Sequence, residues 1–192
     1  MLRIAIDSVT SRSVAEKVSD DEMMEKLHAV WMLARVKYEQ FSPLRSRQKL
    51  WADVSARSID HSVYYRVVEF REKGEQEPLA RCTMAFMAVD PDTRRILRVS
   101  EIEAIYDSPP RDAPDVELRR VRVRGELPPI GTITVRRSDC DSNGHLSGPN
   151  YADLICEAAR YWEDGPKLCT ELCINYSAEC SPGDELTYGD LR

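Results

Sequence analysis

The chain reads as an α+β protein in which a strand–helix–strands unit occurs twice, the second time cut short. Three observations predict this. A capping signature, Ser19-Asp20-Asp21-Glu22, opens a long run of apolar residues at helical spacing. Three consecutive extended segments follow, rich in Val, Tyr and Phe and joined by short polar turns, as antiparallel strands are. From residue 131 the same order returns, with a β-like run, an amphipathic stretch and extended segments. A helix lying on a curled antiparallel sheet buries one face of each element.

Taken in order, residues 2–10 read as a short strand. Over residues 20–41, Met23, Leu27, Val30, Trp31, Ala34, Tyr38 and Phe41 recur at helical spacing, and Pro43 closes the segment. The extended segments fall at about 50–60, 62–73 and 78–90, with Glu72-Lys73-Gly74-Glu75 as a turn, and residues 95–106 read as a further strand. Residues 107–130, punctuated by Pro109-Pro110, Pro114 and Pro128-Pro129, read as a linker that pairs at most briefly as an edge strand. In the second unit, 131–137 is a strand. A helix over 149–162 carries Tyr151, Leu154, Ile155, Ala158, Ala159 and Trp162 on one face and ends at Gly165-Pro166. Residues 171–180 and 185–192 are strands around a Pro182-Gly183 turn. The domains are therefore 1–106, a linker 107–130, and a partial 131–192.

A chain of 192 residues suits one ordinary domain or two small ones. No apolar run approaches the roughly 20 residues that span a bilayer, and the N-terminus has no signal-like apolar core, so a cytoplasmic location is expected. A net charge of −6 disfavours nucleic acid as a partner. Cysteines 82, 140, 156, 169, 173 and 180 lack the paired spacing of zinc sites and read as free thiols, and Cys169 and Cys173 with His145 make no convincing metal site.

The most informative segment runs from Ser138 to Tyr151. It sets Asp141, Asn143 and His145 at every second position, between a strand-like and a helix-like run. A carboxylate, an amide and an imidazole gathered at such a junction can orient a water and receive a developing oxyanion. The bland reading stands beside it: Asp, Asn and Gly crowd turns for backbone reasons, and Asn143-Gly144 alone is an ordinary turn signal.

Asp141-Ser142-Asn143-Gly144-His145-Leu146 resembles the Asp-x-Asn-x-His-Val segment of acyl-acyl-carrier-protein thioesterases, plant and bacterial enzymes that release fatty acids from their carrier. Tyr176-Ser177-Ala178-Glu179-Cys180 resembles that family's Tyr-x-x-Glu-Cys, with Gly183-Asp184 just after. Asp90-Pro91-Asp92-Thr93-Arg94-Arg95 resembles its aspartate–threonine–arginine turn. The resemblance implies a tandem (double) hotdog, each half a long helix wrapped by an antiparallel sheet, with the second copy incomplete. It also implies hydrolysis of the thioester of a fatty acyl chain on acyl carrier protein, through Asp141, Asn143, His145 and Glu179, with no metal or organic cofactor. The acyl chain would lie in a channel of the first hotdog. Arginines at 94, 95, 98, 119, 120, 122, 124, 136 and 137 would give an acidic carrier a landing patch, or are solvated strand faces.

Glu179 is read as facing away from Leu172, Ile174, Tyr176 and Ala178 along a strand, and is either a site carboxylate or an exposed one. Cys180 is a candidate nucleophile, though buried cysteines usually pack as inert hydrophobes. Ser147-Gly148 stands where the family usually has Asn-Asn, which keeps open a non-catalytic acyl-chain or carrier-binding hotdog. An acyl-coenzyme A thioesterase is the other alternative. A second sheet ending at Arg192 would leave the 149–162 helix poorly covered, forfeiting roughly 1.5–3 kcal/mol per large apolar side chain. The chain is then expected to be marginal, to form a homodimer, or to belong to a longer protein.

Overall fold

Leu2, Ala5, Val9 and Ser13 recur at steps of three and four and are buried, and in the computed structural model they form the inner stripe of a helix, α1 (Leu2–Ala15). The strand expected over 2–10 is not formed, because its alternation is shorter than this stripe. Ser8, Thr10 and Ser11 donate to the carbonyls of Ile4, Ile6 and Asp7 one turn back, which accommodates poor helix formers. The structure describes residues 1–59, 62–105, 112–114, 118–123, 125, 127–141, 143–159 and 168–189.

The capping signature does start a helix, α2 (Asp20–Leu27), with Glu22 accepting from the Ser19 N–H at 2.8 Å. It ends far short of residue 41. His28 takes the left-handed conformation (φ 49°), and Ala29 N–H reaches back to the Met23 carbonyl at 3.3 Å, closing a Schellman-type cap. Glycine or asparagine normally fills that position, so His28 gave no warning in the sequence. The rest of the expected helix is a strand, β1 (Val30–Gln40).

The physical reason is a bulge. Trp31 and Leu33 lie opposite Ala88 and Phe86, whereas Val36 and Tyr38 lie opposite Met84 and Cys82, with the register shifting between Leu33 and Arg35. One extra residue there moves the inward-facing set from odd to even positions. The alternation that marks a strand is thereby broken, and the remaining apolar spacing imitates a helix.

The expected strands 50–60, 62–73 and 78–90 appear as β2 (Trp51–Ile59), β3 (Val63–Arg71) and β4 (Ala80–Val89). The described residues of the 95–106 stretch do not make a strand. Ile96 alone bridges to Val89, after which α3 (Val99–Glu103) starts where Arg98 N–H donates to Glu101 at 2.8 Å. Later elements are β5 (Pro129–Thr134), α4 (Gly148–Ala158), β6 (Glu171–Asn175) and β7 (Glu185–Gly189). Trp162 and Gly165-Pro166, expected at the end of the second helix, lie outside the described residues.

Five strands form one antiparallel sheet in the order β2-β3-β4-β1-β6. The chain divides into two compact units, Met1–Arg120 with Thr170–Asn175, and Val121–Cys169 with Tyr176–Arg192. The 171–180 strand is thus shorter than expected and pairs with β1 in the first sheet, while β5 pairs with β7 in a second, two-stranded sheet.

In the first unit, α1 lies against β2 and β3. Glu16, which caps the C-terminal end of α1, receives Arg12 at 2.6 Å and the buried Arg66 of β3 at 2.8 Å, so the arginine that the helix covers is paired. Val18, Met23, Tyr64, Leu97 and Ile102 pack as one core cluster, and Trp31 packs edge-on to Tyr64 at 5.5 Å while its indole N–H donates to the Val18 carbonyl. Cys82, on β4, is fully buried, and burial pushes its thiol up to about 12. Asp112, inside the expected linker, pairs with the β2 edge through the Ala56 N–H and carbonyl at 2.8 and 3.0 Å. No helix among the described residues is long and apolar enough to cross a membrane.

On the opposite sheet face Glu69 sits between Arg71 and Arg81, and Arg71 also reaches Asp53. Burial works to raise the Glu69 carboxyl, but the two arginines outweigh it and hold it below the usual range. Its contribution to stability is therefore present above the ordinary glutamate pKa and lost as pH falls through the lowered value. Glu69→Gln should lower stability at pH 7 by about 1 kcal/mol after screening. In melts between about pH 3 and 7 the gap to the unsubstituted protein should close below about pH 4; a gap that stays constant would show that the arginines are not responsible.

Candidate active site

Within the second unit the segment singled out by the sequence folds into a tight reversal. Cys140 and Leu146 form an isolated antiparallel bridge, Asp141 N–H donates to the His145 carbonyl at 2.9 Å, and Gly144 N–H donates to the Asp141 carbonyl at 3.1 Å. The Asp141 carboxylate accepts the Asn143 N–H at 2.8 Å, an Asx turn. Gly144 adopts φ +82°, a conformation that costs a side-chain-bearing residue about 1 kcal/mol or more. Part of this motif is therefore written by the backbone.

The reversal is anchored on both sides. Leu146 is buried, and its N–H donates to the Cys180 carbonyl at 2.7 Å. The Asp139 carbonyl accepts the Ser147 N–H at 3.0 Å and the Asn150 side-chain amide at 2.7 Å. Helix α4 then begins, with Ser147 as N-cap and Pro149 in its first turn. Proline offers no N–H, and Asn150 and Tyr151 both donate to the Ser147 carbonyl. Among the described residues, this leaves the Gly148 N–H as the first-turn donor open to a ligand.

His145 and Glu179 come together, with His145 Nε2 3.9 Å from the Glu179 carboxylate and both side chains close to half exposed. That separation suits a charge interaction and is too long for a direct hydrogen bond. Asp141 and Asn143 are exposed on the same reversal, but among the described residues no hydrogen bond links their side chains to His145. Glu179 is not on a strand as expected: β6 ends at Asn175, and Glu179 lies in the irregular segment beyond it.

Cys180 is half-buried beside Tyr151, whose hydroxyl donates toward Sγ at 3.1 Å and toward the Ala178 carbonyl at 3.3 Å. Burial, then the neighbouring Cys180, pushes the Tyr151 phenol well above its ordinary range and keeps it a donor. Tyr176 donates in the other direction, to the Gly148 carbonyl at 3.0 Å, and the two rings meet edge-to-face at 5.2 Å. The sequence reading placed Tyr151 on an apolar helix face and gave Tyr176 no role. The pairing of a Tyr at the helix start with the Tyr of Tyr-x-x-Glu-Cys was the available signal.

Among the described residues, one group brings three potential metal ligands within 4.8 Å of one another: His28, Asp90 and Asp92, in the first unit. Each already has work there. Asp92 accepts from His28 at 2.7 Å and raises its imidazole, and Asp90 accepts the Asp92 and Thr93 N–H groups of its turn.

The family described as acyl-ACP thioesterase N-terminal domain matches residues 1–106. The fold is similar to that of an acyl-ACP thioesterase from Bacteroides thetaiotaomicron, at 18% identity and a TM-score of 0.76 over 96% of this chain and 74% of that one. It is also similar to a 12:0-ACP thioesterase from Umbellularia californica, at 15% identity and a TM-score of 0.75 over 96% of this chain and 75% of that one. At such identities the likeness establishes a mixed α/β, hotdog-like fold with an antiparallel sheet. No curated protein matches the sequence.

The turn and the chemistry of Asp141 can be separated. Asp141→Asn retains an oxygen for the Asn143 N–H, so its melting temperature should stay within about 2 °C of the parent, whereas Asp141→Ala loses the Asx turn and about 1 kcal/mol. Equal melting of both variants in calorimetry would mean that the turn does not depend on this carboxylate.

Proposed function

The chain belongs to the acyl-ACP thioesterase family, and on that premise we propose that it hydrolyses the thioester of an acyl-acyl carrier protein to free fatty acid and the carrier thiol. The observation that carries this reading is the approach of His145 to Glu179 beside the start of α4. Glu179 acts as general base on a water held against His145. The water oxygen bonds to the thioester carbonyl carbon as its proton passes to the carboxylate, a form of assistance that contributes about 10²–10⁴-fold.

The resulting oxyanion is received by the Gly148 N–H, where the positive end of the α4 dipole favours negative charge. Collapse restores the carbonyl and breaks the C–S bond. The departing thiolate takes up the proton held by Glu179, so the carboxylate ends as it began. Asp141 and Asn143, on the same reversal, orient the water from the other side. Ser147-Gly148 fits this scheme, since the helix-start donor is a backbone group and needs no asparagine side chain.

Cys180 has no covalent role in this mechanism. Its sulfur lies 3.1 Å from the Tyr151 hydroxyl, which matches the inert reading of a half-buried thiol.

The test is release of free fatty acid from acyl-acyl carrier protein by the purified protein, with acyl-coenzyme A compared at equal concentration. Asp141→Asn, Asn143→Ala, His145→Ala and Glu179→Ala should each lower kcat/KM about tenfold or more, while Cys180→Ser keeps most of the activity. A folded Cys180→Ser protein with no activity, alongside a trapped acyl-enzyme in the parent, would overturn the water mechanism. Binding of acyl carrier protein without turnover would leave a non-catalytic role.

A further inference from the structure

Glu179 lies in a segment with no strand pairing of its own, yet the proposed chemistry needs it held within a fraction of an ångström. Two phenols cross that gap in opposite directions. Tyr151, in the first turn of α4, donates to the Ala178 carbonyl and toward Cys180 Sγ, the residues on either side of Glu179. Tyr176, at the start of the segment, donates to the Gly148 carbonyl in the same helical turn. Their rings lock edge-to-face at 5.2 Å, and the Leu146 N–H adds a third tie to the Cys180 carbonyl at 2.7 Å.

We infer that Tyr151 and Tyr176 are positioning residues, a reciprocal clasp that holds the 176–180 segment on the start of α4 and thereby fixes Glu179 beside His145. The inference rests on the reading of Glu179 as the base. Neither phenol supplies a proton to the reaction. Each replaces water as the partner of a backbone or sulfur atom next to the carboxylate, so removing one hydroxyl leaves the ring packing in place and lets the carboxylate drift. Losing about 1 Å of placement is enough to cost up to about a hundredfold in rate.

The experiment uses the whole chain with Tyr151→Phe and Tyr176→Phe, alone and each combined with Glu179→Gln. Two quantities are followed: kcat and KM on acyl-acyl carrier protein, and hydrogen exchange at the Leu146 amide. Each single Phe variant should lower kcat about tenfold with KM unchanged, and cause no further loss in the Glu179→Gln background, because both act through the same carboxylate. Exchange at Leu146 should quicken about tenfold. A loss that multiplies with that of Glu179→Gln, or a kcat equal to that of the parent, would overturn the positioning role. If the parent and Glu179→Gln both fail to hydrolyse any substrate, the functional reading falls. The clasp is then decided by Leu146 alone: faster exchange in the Phe variants sustains it, and unchanged exchange overturns it.

Discussion

Between Leu33 and Arg35 the interior strand β1 accommodates one residue more than its neighbour β4, and much of the first unit depends on that insertion. Before it, odd-numbered side chains face the helix-covered side. After it, even-numbered ones do. Without the shift, either Trp31 or Tyr38 would turn to the other face. Trp31 would then leave its contacts with Tyr64, Phe86 and the Val18 carbonyl, which tie the α2 end of the unit to the sheet. The second half of β1 must meanwhile present Val36 to Met84 on one flank and to Ile174 on the other. A single bulge satisfies both requirements with one continuous strand.

The same insertion explains why part of the fold was hidden in the sequence. β2, β3 and β4 pair with one another in unbroken register and were legible to within a few residues. The Ser19–Glu22 capping box was legible too, because it is a local device. What failed was whatever depended on distant partners. The α2 stop lies in a histidine forced left-handed, the β1 phase lies in its bulge, and the place of β6 lies in a pairing with β1. Helix α1 was missed for a different reason, since Ala5 and Ser13 on its buried stripe carry little hydrophobic signal.

At the candidate site, part of the pattern that stands out in the sequence is backbone geometry rather than chemistry. Asp141 and Gly144 are needed by the reversal itself, through an Asx turn and a left-handed glycine, whatever chemistry follows. That local economy presents His145 at the threshold of α4. Regular alternation would have placed Glu179 on a strand face, whereas the chain has left β6 four residues earlier and Glu179 reaches His145 from irregular structure. Tyr151, which in the sequence falls on an apolar helix face, and Tyr176, which there has no role, supply the hydrogen bonds such a segment lacks.

The pairing of β6 with β1 also constrains the order in which the protein can be made. Ile174 is the partner of Val36, so about 140 residues of chain emerge between the two halves of that ladder. At a synthesis rate of about 5–20 residues per second, β1 waits roughly 7–28 s with one row of amides and carbonyls unpaired. Throughout that interval the nascent sheet carries a long open edge rich in Val, Trp and Tyr, the kind that recruits strands from other chains. The charged residues Lys37 and Glu39 near its far end, an ion pair at 2.7 Å within β1 itself, serve there as gatekeepers.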